Sequence, residues 1–213
     1  MSKPVVMLGH GGHARVVLDV LQLTGRQVAG ILTPDLEAGC IWQGVSVLGG
    51  DDWLDSAAAS HHAYALGVGL VPGRVGWRPC LFRGLRERGL EMPALIHPGA
   101  IVARDVLVRE GVQIMAGAVV QPGARLGADV LVNTGARIDH DCAIGAHAHI
   151  GPGAILCGEV SVGEGVFVGA GATLIPGVRI GAGAQVAAGA VVVRDIPPGM
   201  RHIPGRPQRL IEE

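Results

Sequence analysis

A period of six residues runs through the second half of the chain. Stepping in sixes from Ile96 through Val102, Val108, Ile114 and Val120 to Val192 meets seventeen positions, all Ile, Leu or Val. Those three residue types fill only 62 of the 213 positions, so chance placement would do this about once in a billion trials. The fourth position of each unit is mostly Gly or Asp (Gly99, Asp105, Gly111, Gly117, Gly123, Asp129, Gly135), and the fifth is small or β-branched. Six is neither the helical period nor the two-residue alternation of a half-buried strand. The pattern predicts a short strand, a sharp turn and another short strand, wound into a parallel β-helix of three hexads per coil. Glycine at the fourth position permits positive φ at the corner. Residues 96–195 supply between five and six such coils. A narrow interior excludes large rings, in keeping with 3 % aromatic residues overall and Phe167 alone in this half.

Residues 1–95 read differently. Val5–Leu8 is a short apolar strand, followed by Gly9-His10-Gly11-Gly12-His13 and a helical pattern at Val16, Val17, Val20 and Leu21 that Gly25 ends. A second strand over 27–32 leads towards Asp35, a third is expected over 63–68, and an amphipathic helix over 78–88. A strand, a glycine-rich loop and a helix N-terminus bring backbone N–H groups to a phosphate, and an acid after the second strand can meet a ribose or base. Ala14 stands where the dinucleotide fingerprint has its third glycine, and the unit is short, which favours a mononucleotide or nucleotide-sugar over NAD. A glycine turn that merely lets helix and strand pack closely is the plainer alternative. Trp42, Trp53, Trp77 and Tyr64 are expected in the core of this half rather than stacked on a base.

Charge and cysteine usage narrow the function classes. Net charge is −1, and the basic residues, sixteen Arg with Lys3, are scattered, so no field is present to hold nucleic acid or an anionic membrane. No run of 18 apolar residues appears, and a soluble cytoplasmic protein is expected. Cys40, Cys80, Cys142 and Cys157 lack metal-type spacing.

Three of nine histidines fall in one decade, His140, His147 and His149, and Asp141 replaces the corner glycine beside His140. An imidazole with a carboxylate on one ring nitrogen leaves the other free to take a proton, the arrangement of a general base. His140 and Asp141 are the candidate pair, against the alternative of two polar residues on a solvated corner. A solvated corner is the plainer reading of His147. His149 either points over the groove that holds His140 or faces solvent. Corner substitution alone is no signal, since Asp105, Asp129 and Asp195 occur without nearby histidines and Asp tolerates left-handed φ.

The hexad array, the N-terminal glycine-rich unit, the joining segment Ala94-Leu95-Ile96-His97-Pro98-Gly99-Ala100 and the run from Asn133 to Gly145 together resemble the nucleotide-sugar and sialic acid acetyltransferases. Within that family the chain is most similar to the GDP-perosamine N-acetyltransferases of bacterial O-antigen synthesis. The resemblance implies an α/β Rossmann-like subdomain over 1–95 that binds a nucleotide-sugar. It implies a left-handed parallel β-helix with a C-terminal tail over 96–213, a homotrimer with active sites between neighbouring subunits, acetyl-CoA as co-substrate and no metal. By position, His140 resembles the catalytic base and Asp141 the acid that orients it. His149 resembles the histidine near the thioester, and the Gly158 N–H a donor to the acetyl oxygen. Gly9, Gly11, Gly12 and His13 match the nucleotide-phosphate loop, Asp35 the residue near the base, and Arg206 is a candidate for the CoA phosphates. The tail Gly205-Arg206-Pro207-Gln208-Arg209 departs from the commoner Gly-x-Pro-Ala-Lys ending.

The expected reaction is direct acetyl transfer to the 4-amino group of a nucleotide-linked 4-amino-4,6-dideoxy sugar, GDP-linked first and UDP-linked next. No cysteine is needed as nucleophile, and alanine at Cys142 or Cys157 is expected to leave turnover largely intact. Three alternatives stand beside it: O-acetylation of a sialic acid or related sugar, a zinc hydratase of the carbonic anhydrase type using His140, His147 and His149, and an inert binding trimer.

Overall fold

The computed structural model describes residues 2–70, 76–203 and 209–210. The chain divides into two compact units, Met1–Leu95 and Ile96–Glu213.

In the first unit, β1 (Val5–Leu8), β2 (Val28–Leu32), β3 (Ile41–Trp42), β4 (Val45–Gly49) and β5 (Ala63–Leu66) form one sheet in the order β3-β4-β2-β1-β5. All pairings are parallel except the β3–β4 hairpin, whose two-residue turn Gln43-Gly44 has positive φ at both positions, as a type I′ turn requires. β1 is buried throughout, as expected of a central parallel strand covered on both faces. Helix α1 (Gly12–Leu23) buries Ala14, Val17, Leu18 and Leu21, spaced as one helical face, while Val16 is exposed. It stops at Gly25, whose φ of 66° lets Arg26 N–H reach the Leu21 carbonyl and Gly25 N–H the Gln22 carbonyl. Helix α2 (Trp77–Glu87) ends in the same way at Gly89, with Leu90 N–H on the Leu85 carbonyl. Of the aromatic residues expected in this core, Tyr64 is fully buried, its hydroxyl donating to the Ala59 carbonyl at 2.9 Å and its pKa pushed up to about 12 by burial. Trp77 is exposed instead. The parallel strands run β4-β2-β1-β5 in space, so the winding reverses between β1 and β5, and the glycine-rich loop after β1 opens at that switch point.

The second unit is a left-handed parallel β-helix of two-residue strands. One sheet stacks Ile101–Val102, Val119–Val120, Arg137–Ile138, Ile155–Leu156, Thr173–Leu174 and Val191–Val192. A second stacks Leu107–Val108, Arg125–Leu126, Ala143–Ile144, Ser161–Val162 and Arg179–Ile180. A third stacks Gln113–Ile114, Leu131–Val132, His149–Ile150, Phe167–Val168 and Gln185–Val186, extended by Met200–His202 and the antiparallel Arg209–Leu210. Register is eighteen residues throughout, as in Val120 on Ile138 and Ile138 on Leu156. Two side chains per hexad fill the interior. The aliphatic position is buried from Ile114 to Val192, and so is the small fifth position from Val112 to Ala190. Ile96, Val102 and Val108 are less covered, because they lie in the terminal coil.

Fourteen successive corners, Gly111 to Gly189, have φ between 57° and 76°. Ten are glycine and four are not: Asp129, Asp141, His147 and Glu159. The expectation of left-handed backbone holds at Asp129 but not at Asp105 or Asp195, near the two ends. Their carboxylates instead cap backbone N–H groups one coil away, Asp105 that of Gly123 at 3.0 Å and Asp195 that of Arg179 at 2.8 Å.

Candidate active site

His140 and Asp141 occupy the corner between strands Arg137–Ile138 and Ala143–Ile144, and hydrogen bonds to both adjoining coils fix their backbone. The Asp141 N–H donates to the Pro122 carbonyl at 3.0 Å, and the His140 carbonyl accepts from the Glu159 N–H at 2.9 Å. The left-handed φ of 58° at Asp141 accompanies a carboxylate turned beside the neighbouring ring: His140 Nδ1 lies 3.0 Å from Asp141 Oδ2. A neutral imidazole that donates from Nδ1 carries its lone pair on Nε2. That hydrogen bond raises the His140 pKa above its ordinary 6.5, opposed by desolvation and assisted by the charges of Asp139, Asp141 and Glu159.

Two glycines make room for the pair. A Cβ at Gly123, one coil before Asp141, would collide with Asp141 Oδ1, and a Cβ at Gly158 would stand 2.5 Å from His140 Nε2. Gly158 therefore packs directly against the ring. Its carbonyl accepts the Gly177 N–H at 3.0 Å, while its own N–H donates no hydrogen bond among the described residues. A proton acceptor and an unengaged backbone donor thus lie side by side on one open corner, the two elements that acyl transfer to an amine requires.

The other two histidines are buried. His147 Nδ1 lies 3.0 Å from Asp129 Oδ2, one coil away, and both side chains are almost fully buried, so the solvated-corner reading of His147 is corrected. Eighteen-residue spacing, 129 to 147, is the signal that could have found this pair. His149 does not face solvent. It is buried on the third sheet between Leu131 and Phe167, its ring edge-on to Phe167 at 5.1 Å and Nε2 3.3 Å from Asn133 Nδ2. Among the described residues no group of three or more His, Cys, Asp or Glu side chains gathers to hold a metal ion. Among them, too, no helix is long and apolar enough to cross a membrane.

In the first unit the glycines of the loop differ in role. Gly9 has φ of 100° and a Cβ there would lie 2.9 Å from Val68 Cγ2, so backbone geometry demands it. Gly11 and Gly12 are outside the left-handed region and a Cβ on either would meet nothing within 4 Å. Gly11 is the N-cap of α1 without any side-chain cap, which leaves the helix N-terminus open to an anion, with His13 in its first turn. Asp35 reaches the same loop through two residues that the sequence reading did not single out. Thr33 Oγ1 lies 2.9 Å from His10 Nδ1 and accepts the Asp35 N–H at 3.3 Å, and Asp35 Oδ2 is 3.7 Å from that ring nitrogen. A histidine inside a glycine run was the available hint. Arg206 lies outside the described residues.

A hexapeptide β-helix preceded by a parallel nucleotide-type sheet, with a His–Asp pair on a corner, is the architecture of an acyltransferase. Residues 4–74 match the PglD N-terminal domain family and residues 159–194 the bacterial transferase hexapeptide family. A comparison with curated protein sequences gave no match. Among solved structures, a histidine-to-asparagine variant of perosamine N-acetyltransferase from Caulobacter crescentus, in complex with CoA and GDP-perosamine, is 39 % identical over 99 % of this chain and 97 % of that one, with a TM-score of 0.88. The acetyltransferase domain of PglB from Neisseria gonorrhoeae, in complex with acetyl coenzyme A, is 33 % identical over 99 % and 100 %, with a TM-score of 0.87. WeeI from Acinetobacter baumannii, at 23 % identity and a TM-score of 0.78, shares the fold. The chain belongs to this family of acetyl-CoA-dependent sugar acetyltransferases, which join a PglD-type N-terminal domain to a hexapeptide β-helix.

Proposed function

We propose that the chain acetylates the 4-amino group of a nucleotide-linked 4-amino-4,6-dideoxy sugar, GDP-perosamine foremost, with His140 as general base. The observation that carries this reading is the His140 imidazole, tethered at Nδ1 by Asp141 and presenting Nε2 beside the unengaged Gly158 N–H. The amine nitrogen attacks the thioester carbonyl as Nε2 accepts one of its protons. Negative charge that develops on the carbonyl oxygen is met by the Gly158 N–H, the C–S bond breaks, and CoA leaves with the proton from the imidazolium. Asp141 stabilises that imidazolium and fixes the tautomer beforehand. His149, held by Asn133 and Phe167, lines the thioester's approach.

The first unit holds the nucleotide, its phosphates on the Gly9–His13 loop and its base or ribose towards Asp35. Support comes from the open space over Gly11 and Gly12, and from the Caulobacter relatives, whose asparagine and alanine variants of one histidine are complexes with CoA and GDP-perosamine. The active assembly is a homotrimer, with the donor and acceptor between neighbouring copies. In its favour, Ile101 and Val191, on the two edge strands of the first sheet, are 67 % and 58 % exposed, large aliphatic side chains that another copy could cover.

Thiol release from acetyl-CoA, with GDP- and UDP-linked 4-amino-6-deoxy sugars and sialic acid as acceptors, tests the reading. Turnover with GDP-perosamine that falls at least 100-fold in His140→Asn is expected, the lower end of what a general base contributes, roughly 10²–10⁴. Release only with sialic acid would move the assignment to O-acetylation, and near-normal turnover in His140→Asn would remove the base.

A further inference from the structure

Cys142 is the residue below the Gly158 corner that no step of this mechanism uses. It is fully buried at the fifth position of its hexad, and strand register stacks that position one coil beneath Val160. Its Sγ donates to the Cys157 carbonyl at 3.2 Å. Burial pushes the thiol up to about 11, against a backbone hydrogen bond from Val160 that pulls it down. The sulfur therefore holds the Cys157 end of the turn 157–160. Where the fifth residue is alanine the turn closes on itself, as in Ala136 N–H to the Asn133 carbonyl and Ala154 N–H to the Gly151 carbonyl. Val160 makes no such bond to Cys157, nor do Val112, Val130, Val166 and Val178 in their turns, and at 157 the carbonyl takes the thiol instead.

The Cys157 carbonyl and the Gly158 N–H belong to one planar trans peptide and point in opposite directions. Pulling the carbonyl inward to a buried thiol turns the N–H outward, where the His140 ring packs. We infer that Cys142 is a positioning residue for acetyl transfer, its thiol setting and polarising the Cys157–Gly158 peptide so that the Gly158 N–H faces the thioester oxygen. This rests on the Gly158 assignment proposed above, and it revises the expectation that alanine at Cys142 is silent.

The test uses the full chain with His140→Asn, which holds acetyl-CoA without consuming it. The infrared stretch of bound acetyl-CoA labelled with ¹³C at the carbonyl reads hydrogen bonding to the thioester oxygen. The band is expected below its position in water-free solvent and below that in the Cys142→Ala, His140→Asn double variant, with Cys142→Ser restoring the shift because a hydroxyl donates more strongly than a thiol. In the otherwise native chain, Cys142→Ala is expected to lower kcat roughly two- to tenfold, the worth of one modest hydrogen bond. KM for acetyl-CoA and the pH profile stay put, and Cys142→Ser recovers the rate. Folding is not at issue, since alanine fills the same position at Ala124, Ala136 and Ala148. A lowered band that is identical in all three variants overturns the role of Cys142 while leaving the Gly158 donor standing. A band that is not lowered even with Cys142 intact removes the Gly158 donor, and the positioning role with it.

Discussion

Gly158→Ala is expected to lower catalysis while leaving stability in place. The added Cβ would lie 2.5 Å from His140 Nε2, 2.6 Å from Cε1 and 3.2 Å from Cδ2. Comfortable contact needs about 3.5–4.0 Å, so the ring must retreat by about 1 Å. It can do so cheaply, because the His140 side chain is 55 % exposed and Gly158 has no left-handed φ for alanine to strain. The move breaks register between Nε2 and the reacting nitrogen, and a misplacement of about 1 Å costs on the order of 10²-fold in rate, equivalent to about 2.7 kcal/mol of barrier. Gly127→Ala is the matching control. There the Cβ would meet backbone, Ala146 N at 2.6 Å, which cannot swing aside, so stability falls by about 1–3 kcal/mol. Thiol release under saturating substrates, paired with thermal unfolding, checks both. Gly158→Ala should keep its Tm and lose turnover; full turnover would refute the placement of His140 against that glycine.

Asp141→Asn replaces the charged acceptor whose hydrogen bond and charge raise the His140 pKa with a neutral amide. A base must be neutral to act, so kcat/KM rises with pH through that pKa, and the variant's acidic limb should shift to lower pH, a movement upward or none at all counting against the pair. The charges of Asp139 and Glu159 remain, so the shift is partial, and kcat falls less than in His140→Asn. His147→Ala takes the Nδ1 partner from the buried Asp129 carboxylate at a cost of about 1–3 kcal/mol. Thermal unfolding should show the loss while kcat/KM is retained, and a collapse of turnover at unchanged Tm would argue that His147 acts in the reaction.

The β-helix was legible because its determinants are local and repeated. Each hexad carries its own interior residues and corner, so a failure at one unit, such as Asp105 or Asp195, leaves the period intact. His140 and Asp141 were legible for the same reason, being chain neighbours on one corner. Contacts between coils were not read, although the period already implied them. Asp129 with His147, Gly123 beneath Asp141, and Cys142 against the turn that begins at Cys157 all follow once eighteen residues are taken as the distance between stacked neighbours. The burial of His149 cannot be read from a single coil, because its surroundings come from Asn133 and Phe167 in the coils on either side. In the first unit, strand order depends on long-range pairing that hydropathy does not encode, and the hairpin over Ile41–Gly49 starts from a strand of two residues, too short to show an alternation.

The eighteen-residue register also restricts how a chain of this kind can change length. An insertion of one whole coil beyond Ile180 leaves every stacked partner of His140 and Asp141 on its own edge. A gain of six residues between Asp141 and Gly158 would instead turn the later corners by a third of a revolution, separating the imidazole from the glycine it packs against. Viable length variants in the coils on either side of this pair should therefore come in quanta of a full coil, whereas the two ends, where corners have already left the left-handed conformation, are free to drift one residue at a time.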